Sequence, residues 1–431
     1  MRLRILFVLL AVAGLFPAHM SAQPAAKLTL SKLLLRIETH PALEMKRAEI
    51  EAARSRIPMR SSLMDPTLIL GVQNVPTNFS FNQDAMTAKV AGIEQEFPFP
   101  GKLGKERTLG ELSVRQVEAT LAEEQNRLRR DVKLSWFEIL HRQRSVSAYR
   151  YHQDALESVE KEITTGVAYG KNSALESEQI QLERTEIRQM IIEEQAMILM
   201  EYAKLTYATG TEITTISSLD SLPLVTFPYT ADSLMLMATN RPLLSGIEAS
   251  IEQAGISIER SKLNRYPDFS AMLMYMQRDA LAPGTMGTGT SFTPQMNMLT
   301  AQISIKLPLN YSGKNDAGIS EAEAMRGMKR AEEDMVRREI KMMLSEQLAR
   351  LQELRAKHEL LVHQSLPTLR TINQFLVSGY GFDKSSLSSI VLQELSLLHK
   401  QHDQFEIESE YYKTIAQIEF LIGTDLISMY H

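Results

Sequence analysis

The sequence predicts a mostly helical chain with a small membrane-crossing β portion, built from one helix-strand-strand-long helix-helix unit written twice. Three observations carry this. Residues 201 positions apart match through the opening of each half, two long stretches keep helical periodicity, and four short segments read as strands, the last with clean alternation.

The N-terminus comes first. MRLR gives a positive start, Ile5 to Phe16 an apolar run, and PAHMSAQ a cleavage region after Ala22, so residues 1–22 are expected to be a secretory signal peptide. The apolar run is too short for a comfortable span, although an anchor helix is the competing reading. No other apolar stretch approaches the roughly 20 residues that a spanning helix needs. Cysteine is absent, which leaves neither a disulfide framework nor a cysteine for lipid attachment. The formal net charge is −5, and taking away Arg2 and Arg4 with the leader makes it −7, so a nucleic-acid partner is not expected.

The duplication is legible in single residues. At an offset of 201, Pro41 meets Pro242, Leu43 meets Leu244, Ala48 meets Ala249, Ile50 meets Ile251, Glu51 meets Glu252, Ala53 meets Ala254 and Pro66 meets Pro267. The offset grows to 210 where Phe97-Pro98-Phe99 aligns with Leu307-Pro308-Leu309, and settles at 213, matching Gly166 with Gly379 and Gly210 with Gly423. The unit is far longer than a solenoid repeat. The expected division is a first repeat over 23–222, a linker over 223–229 containing Pro223 and Pro228, and a second repeat over 230–431.

Each unit opens on a helix. In the first, Thr39 is the expected cap with Pro41 in the first turn, and Asp65-Pro66 stops the helix after about Ser62. Strands are expected at about 67–75 and 86–97, then at about 269–277 and 296–307. In the last strand Leu299, Ala301, Ile303, Ile305 and Leu307 share one face, and Thr300, Gln302, Ser304 and Lys306 the other. Phe269, Ala271, Leu273 and Tyr275 make a similar apolar face. Leu68, Leu70 and Val72 do so more weakly.

Strands of this length cross a bilayer at a tilt, and polar positions such as Thr300, Gln302, Ser304 and Lys306 are then expected to face a lumen. One chain supplies four, and hydrocarbon does not tolerate open sheet edges, so other copies must complete the barrel. Three copies give twelve strands. A soluble sheet packed on helices is the alternative pattern.

Long helices are expected at about 101–166 and 173–207, then at about 313–377 and 385–422. At 1.5 Å per residue the first is a rod of roughly 95 to 100 Å, too long for a compact domain. Apolar residues recur along it at Leu121, Leu128, Val132, Trp136, Leu140, Leu156, Val159 and Ile163. Pro367 predicts a kink or a change of helix in the second long segment. The FPFPG phrase marks the junction: Pro98 and Pro100 remove strand donors, Gly101 permits the bend, and Phe97 and Phe99 are placed to anchor at the interface.

The duplicated plan, IEQEFPFPGKLGKER (Ile93 to Arg107), its partner IKLPLNYSGKN (Ile305 to Asn315) and the paired glycine turns resemble the TolC family of outer-membrane efflux proteins, particularly its cation-efflux branch. The resemblance covers nearly all of the chain after residue 22. It implies a homotrimer: a twelve-stranded β-barrel in outer-membrane lipid, continued by a long α-helical barrel across the periplasm. It also implies docking to a periplasmic membrane-fusion adaptor and an inner-membrane pump of the resistance-nodulation-division (RND) type. The implied role is a passive exit duct for metal cations or drugs, with no catalytic residues and no cofactor. By the same resemblance the hairpin ends form the periplasmic entrance and meet the adaptor. Here these are Gly166, Gly170 and Lys171, and Gly379, Gly381, Phe382, Asp383 and Lys384. The charged members could pair between neighbours, while plain helix capping is their alternative role.

Other constellations carry less. Met272, Met274, Met276, Met296 and Met298 fall on the expected lumen side, where thioethers favour soft ions, but methionines also pepper the helices and read as flexible filler. His399 and His402 share a helix face and are expected to be exposed rather than metal-bound. No Walker loop or dinucleotide fingerprint appears. Two alternatives to the efflux duct stay open: the exit pore of a type I protein-secretion system, and a soluble periplasmic coiled-coil adaptor or scaffold.

Overall fold

The computed structural model describes residues 28–168, 173–217, 222–285, 289–380 and 387–426. The chain runs through α1 (Leu30–Arg36), α2 (Pro41–Ser61), β1 (Thr67–Gln73), β2 (Ala88–Phe97), α3 (Lys102–Ala168) and α4 (Ala174–Thr209). The second half follows with α5 (Ala231–Ala238), α6 (Pro242–Leu263), β3 (Asp268–Gln277), β4 (Met298–Lys306), α7 (Lys314–Leu360), α8 (Leu366–Tyr380) and α9 (Leu387–Ile422). The residues proposed as leader lie outside this description.

Helix α2 begins one residue later than a Thr39 cap would place it. Thr39 belongs to a 3₁₀ turn over Ile37–Thr39, and its hydroxyl donates to the Arg36 carbonyl at 3.0 Å. His40 is the cap: its Nδ1 accepts from the Ala42 amide at 3.1 Å, while Nε2 lies 2.9 Å from the Tyr207 carbonyl. An imidazole reaches both the start of α2 and the end of α4, which a threonine hydroxyl cannot do. Those two contacts require a neutral ring with its proton on Nε2.

Helix α3 has 67 residues, about 100 Å at helical rise. It folds back on α4, whose start carries a capping box between Ser173 and Glu176 and whose end is Gly210 in the left-handed conformation at φ 67°. In the second half, α7 passes through a π turn over Leu361–Ser365 into α8. Pro367 offers no amide to the His363 carbonyl and its ring crowds it, and the widened turn stands immediately before this residue.

The main core sits where both halves meet α3. Leu128, Val132, Trp136, Phe137 and Leu140 of α3 pack with Leu205 of α4, Leu244 of α6, Leu344 and Leu351 of α7, and Tyr412, Ile415 and Ile418 of α9. Inside it, the Lys133 ammonium lies 2.7 Å from the Glu419 carboxylate, both nearly inaccessible, and 2.5 Å from Asp425. The segment between the halves is tied down here as well. The Tyr411 hydroxyl donates to the Val225 carbonyl at 2.6 Å, the Tyr412 hydroxyl donates to Pro223, and Leu222 is buried. A second apolar cluster, including Leu156, Ile163, Ile180, Ile187, Val391 and Leu398, continues along the hairpins.

The four strands form one antiparallel sheet in the order β1-β2-β3-β4, so the central β2–β3 pair joins the two halves. No helix among the described residues is long and apolar enough to cross a membrane.

Candidate channel wall and strand-to-helix junction

The register decides which side chains share a face. Leu68 pairs with Ile93, Ile93 with Leu273, and Leu273 with Ala301; Leu70 is linked in the same way through Ala91 and Tyr275 to Leu299. Phe97, Phe269 and Ile305 are also in line. Directly opposed residues project to the same side, so the apolar positions of all four strands make one continuous face. That face is uncovered: Leu68, Leu70, Leu299 and Ile303 are each about 70 % accessible. It is the reverse of a core, and burying it requires a partner that is itself apolar.

The opposite face carries Thr67, Gly71 and Gln73 on β1, Glu94 and Glu96 on β2, Asp268 and Ser270 on β3, and Thr300, Gln302, Ser304 and Lys306 on β4. The strands β1 and β4 each have one edge without a described neighbour. Their amides and carbonyls there lack ladder partners, which water tolerates and hydrocarbon does not.

At the helical end of the sheet, FPFPG is held by a residue that sequence reading did not single out. The Asp268 carboxylate accepts the Phe99 amide at 2.6 Å and the Lys102 ammonium at 2.8 and 3.0 Å, tying the start of β3 to the turn into α3. Phe97 stacks on Phe269 with ring centroids 5.2 Å apart, and Phe99 stacks on Tyr266 at 4.6 Å. Gly101 has φ 96°, so its glycine is required by the backbone. The second junction uses other means. Leu307 and Leu309 flank Pro308 and stay exposed, while the turn into α7 passes through Ser312 and Gly313 at φ 54° and 71°. Asn310 then accepts from the Asn315 amide and donates to Asp316.

Of the residues proposed for the periplasmic entrance, Gly166 lies in the last turn of α3 and Gly379 in the last turn of α8. Gly170, Lys171, Gly381, Phe382, Asp383 and Lys384 lie outside the described residues.

Midway along the helices a polar cluster joins α3, α4 and α9. His402 was expected to be exposed, and the structure corrects this: its Nε2 is 3.3 Å from Glu194, and its ring lies 5.0 Å from that of His141. Arg142 pairs with both Glu194 at 2.9 Å and Glu138 at 2.5 Å. The hydrogen bond to Glu194, opposed by burial, raises the His402 pKa. Burial pushes His141 down to about 4 despite the attraction of Glu138. Burial also acts to raise the Glu194 carboxyl, but hydrogen bonds from His402 and Arg142 outweigh it and hold the group below its ordinary value. Glu194 lies 208 residues from His402, so no local spacing signals the contact. His399 is exposed. His402, Asp403 and Glu406 place donor atoms within 4.8 Å of one another, but Asp403 is paired with Lys400 at 2.6 Å and Glu406 faces solvent, so the group reads as a solvated helix face.

The fold, helical hairpins joined to a small sheet with one bare and mostly apolar face, is shared by solved outer-membrane channels. The solved structure of CusC, described as forming a transmembrane channel, superposes with a TM-score of 0.76 at 15% identity, over 92% of both chains. The outer membrane protein VceC of Vibrio cholerae follows at 0.73 and 14% identity, over 92% of this chain and 96% of its own. The MtrE outer membrane channel of Neisseria gonorrhoeae, in its open state, gives 0.72 and 13% identity, over 92% of this chain and 89% of its own. No protein-family model matches the sequence, and no curated protein does.

Proposed function

We propose that the protein is the outer-membrane channel of a tripartite efflux system, a passive duct that assembles as a homotrimer. The observation that carries this reading is the sheet: four antiparallel strands, one exposed face that is apolar except for Lys89, Gln95 and Gln277, and two open edges. Three copies pair β4 of one with β1 of the next, make twelve strands, and leave no edge in lipid. The apolar face then meets lipid, the polar face lines the lumen, and the long hairpins continue the duct into the periplasm. Substrate, a metal cation or drug, is delivered by an inner-membrane pump, of the RND type by family resemblance, through a membrane-fusion adaptor. The hairpin ends from Gly166 to Lys171 and from Gly379 to Lys384 are the proposed entrance and adaptor contact.

The test is extraction followed by reconstitution. Release from membranes should require detergent, cross-linking should stop at three chains, and planar bilayers should show discrete conductance. A monomer that stays soluble without detergent would remove the duct reading and favour a periplasmic scaffold.

A further inference from the structure

We infer that the seam between the two helical hairpins holds a binding site for a small apolar primary ammonium, with Glu394 and His152 as its polar anchor. A cavity of about 230 Å³ lies between α3, α4, α8 and α9. Each of these helices gives it an apolar wall: Leu156 and Val159 from α3, Ile187 from α4, Val377 from α8, Val391 and Leu395 from α9. Leu156, Ile187 and Val391 are buried members of the second apolar cluster, while Val377 is exposed and stands at the rim. A cavity of roughly 150 Å³ already admits benzene, so one ring with a short tail fits here.

The polar end of the cavity selects the charge. His152 is buried, and its Nε2 lies 3.4 Å from the Gln401 Oε1, an acceptor, so the ring proton sits on Nε2 and Nδ1 keeps a free lone pair. That Nδ1 is 3.9 Å from the Glu394 Oε2. The Glu394 side chain is 31 % exposed as a whole, yet its Oε2 is shielded from solvent and has no hydrogen-bond partner. No lysine or arginine among the described residues pairs with it. Two acceptors thus stand side by side on an apolar wall, and a buried acceptor left unserved is costly. An ammonium donates to both and balances the carboxylate, while its hydrocarbon body fills the remaining volume. A neutral hydrocarbon would serve neither acceptor, an anion would be repelled, and a metal ion would find two ligands where it needs four or more. Because the anchors come from α3 and α9, a bound ammonium braces one hairpin against the other.

All four helices belong to one chain, so the site stands apart from the duct reading and its trimer. Full-length protein in non-ionic detergent is titrated with phenethylammonium chloride by calorimetry. The wild type should take up one equivalent per chain and unfold at a higher temperature when saturated. Glu394→Gln keeps the shape, removes the charge and should weaken binding more than about tenfold. Phenethyl alcohol, the neutral counterpart, should bind the wild type more weakly by a similar factor, and methylammonium, a charge without the ring, should give no heat. Val391→Phe narrows the cavity and should abolish uptake; where circular dichroism shows that this variant does not fold, Glu394→Gln and the alcohol decide. Glu193→Gln, on the exposed face of α4, should bind as the wild type does. Five results would each overturn the proposal: no uptake by the wild type, undiminished binding by Glu394→Gln or by folded Val391→Phe, an alcohol or methylammonium that binds as well, or a Glu193→Gln protein that loses as much. Conductance of the same samples reports on the duct independently. A conducting protein that takes up no ammonium refutes this inference alone.

Discussion

Gly423 closes α9 directly onto Pro242, the first residue of α6: a Cβ at position 423 would stand 3.1 Å from the Pro242 Cδ. Gly210 stands in the same relation to Pro41, where the distance is 3.3 Å. Both glycines have φ near 70°, and each ends the returning helix of its half against the start of the helix that leads into that half's strands, α2 or α6. The duplication is thus a repeated joint as well as a repeated sequence.

Replacing either glycine with alanine therefore meets two penalties, the left-handed backbone and the proline ring. Each variant should lose about 1–2 kcal/mol from the backbone alone. Thermal unfolding followed by helical circular dichroism checks this. An unchanged midpoint for both variants would show that the joint is loose.

The buried Lys133–Glu419 pair gives a larger effect. Lys133→Met takes the ammonium away from the buried Glu419 carboxylate, which keeps the Leu426 amide, and should cost about 3–5 kcal/mol in thermal unfolding. The double variant K133M/E419M should recover much of that loss, with Asp425 still served by Arg129.

At the junction, Asp268→Asn and Lys102→Met should each lower the unfolding midpoint. Because the two side chains act through one contact, the double variant should lose less than the sum. A coupling of roughly 1 kcal/mol is expected for such a partly exposed pair.

The two faces of β4 should respond oppositely to charge. Ile303→Arg places a cation on the face assigned to lipid and should cost about 2–4 kcal/mol near the bilayer midplane, abolishing recovery of detergent-extracted oligomer. Gln302→Arg, one residue away on the other face, should assemble normally and alter ion selectivity. Equal tolerance at both positions would argue against a lipid-facing surface.

The histidine cluster predicts a stability maximum near neutral pH. His141 has a folded pKa of about 4, below its ordinary 6.5, so between those values the unfolded chain binds the extra proton and stability falls as pH falls. His402 is raised by Glu194, so its contribution is complete below about 6.5 and is lost as pH rises through the folded value. His141→Gln should flatten the acid arm of a melting-temperature profile measured from pH 4 to 9, and His402→Gln the alkaline arm. Arms that persist in both variants would assign the profile to other groups.

Much of the fold was written in local sequence. The alternation of β4 and the long proline-free run after FPFPG are local signals, and the paired glycines repeat across the duplication. Pro367 announced a break, and the π turn before it is the form that break takes. The His40 cap was not legible, because its second partner, the Tyr207 carbonyl, comes from another helix. Nothing in its neighbourhood along the chain marked Asp268. Its grip on Phe99 and Lys102 depends on β2 and β3 pairing across the duplication. Within the proposed entrance, Gly166 and Gly379 fall in helical last turns, and the charged residues beside them were suggested by resemblance.

By itself the sequence determined the duplicated unit, because the same residues recur 201 to 213 positions apart, and the periodicity of its helices and the amphipathic alternation of its clearest strand, because these depend on residues within a few turns of one another. The tertiary structure alone decided the register that gathers every strand methionine on one face, the Glu194–His402 contact and the burial of Lys133. These depend on which distant segments pack together, and side-chain spacing along a chain does not encode that.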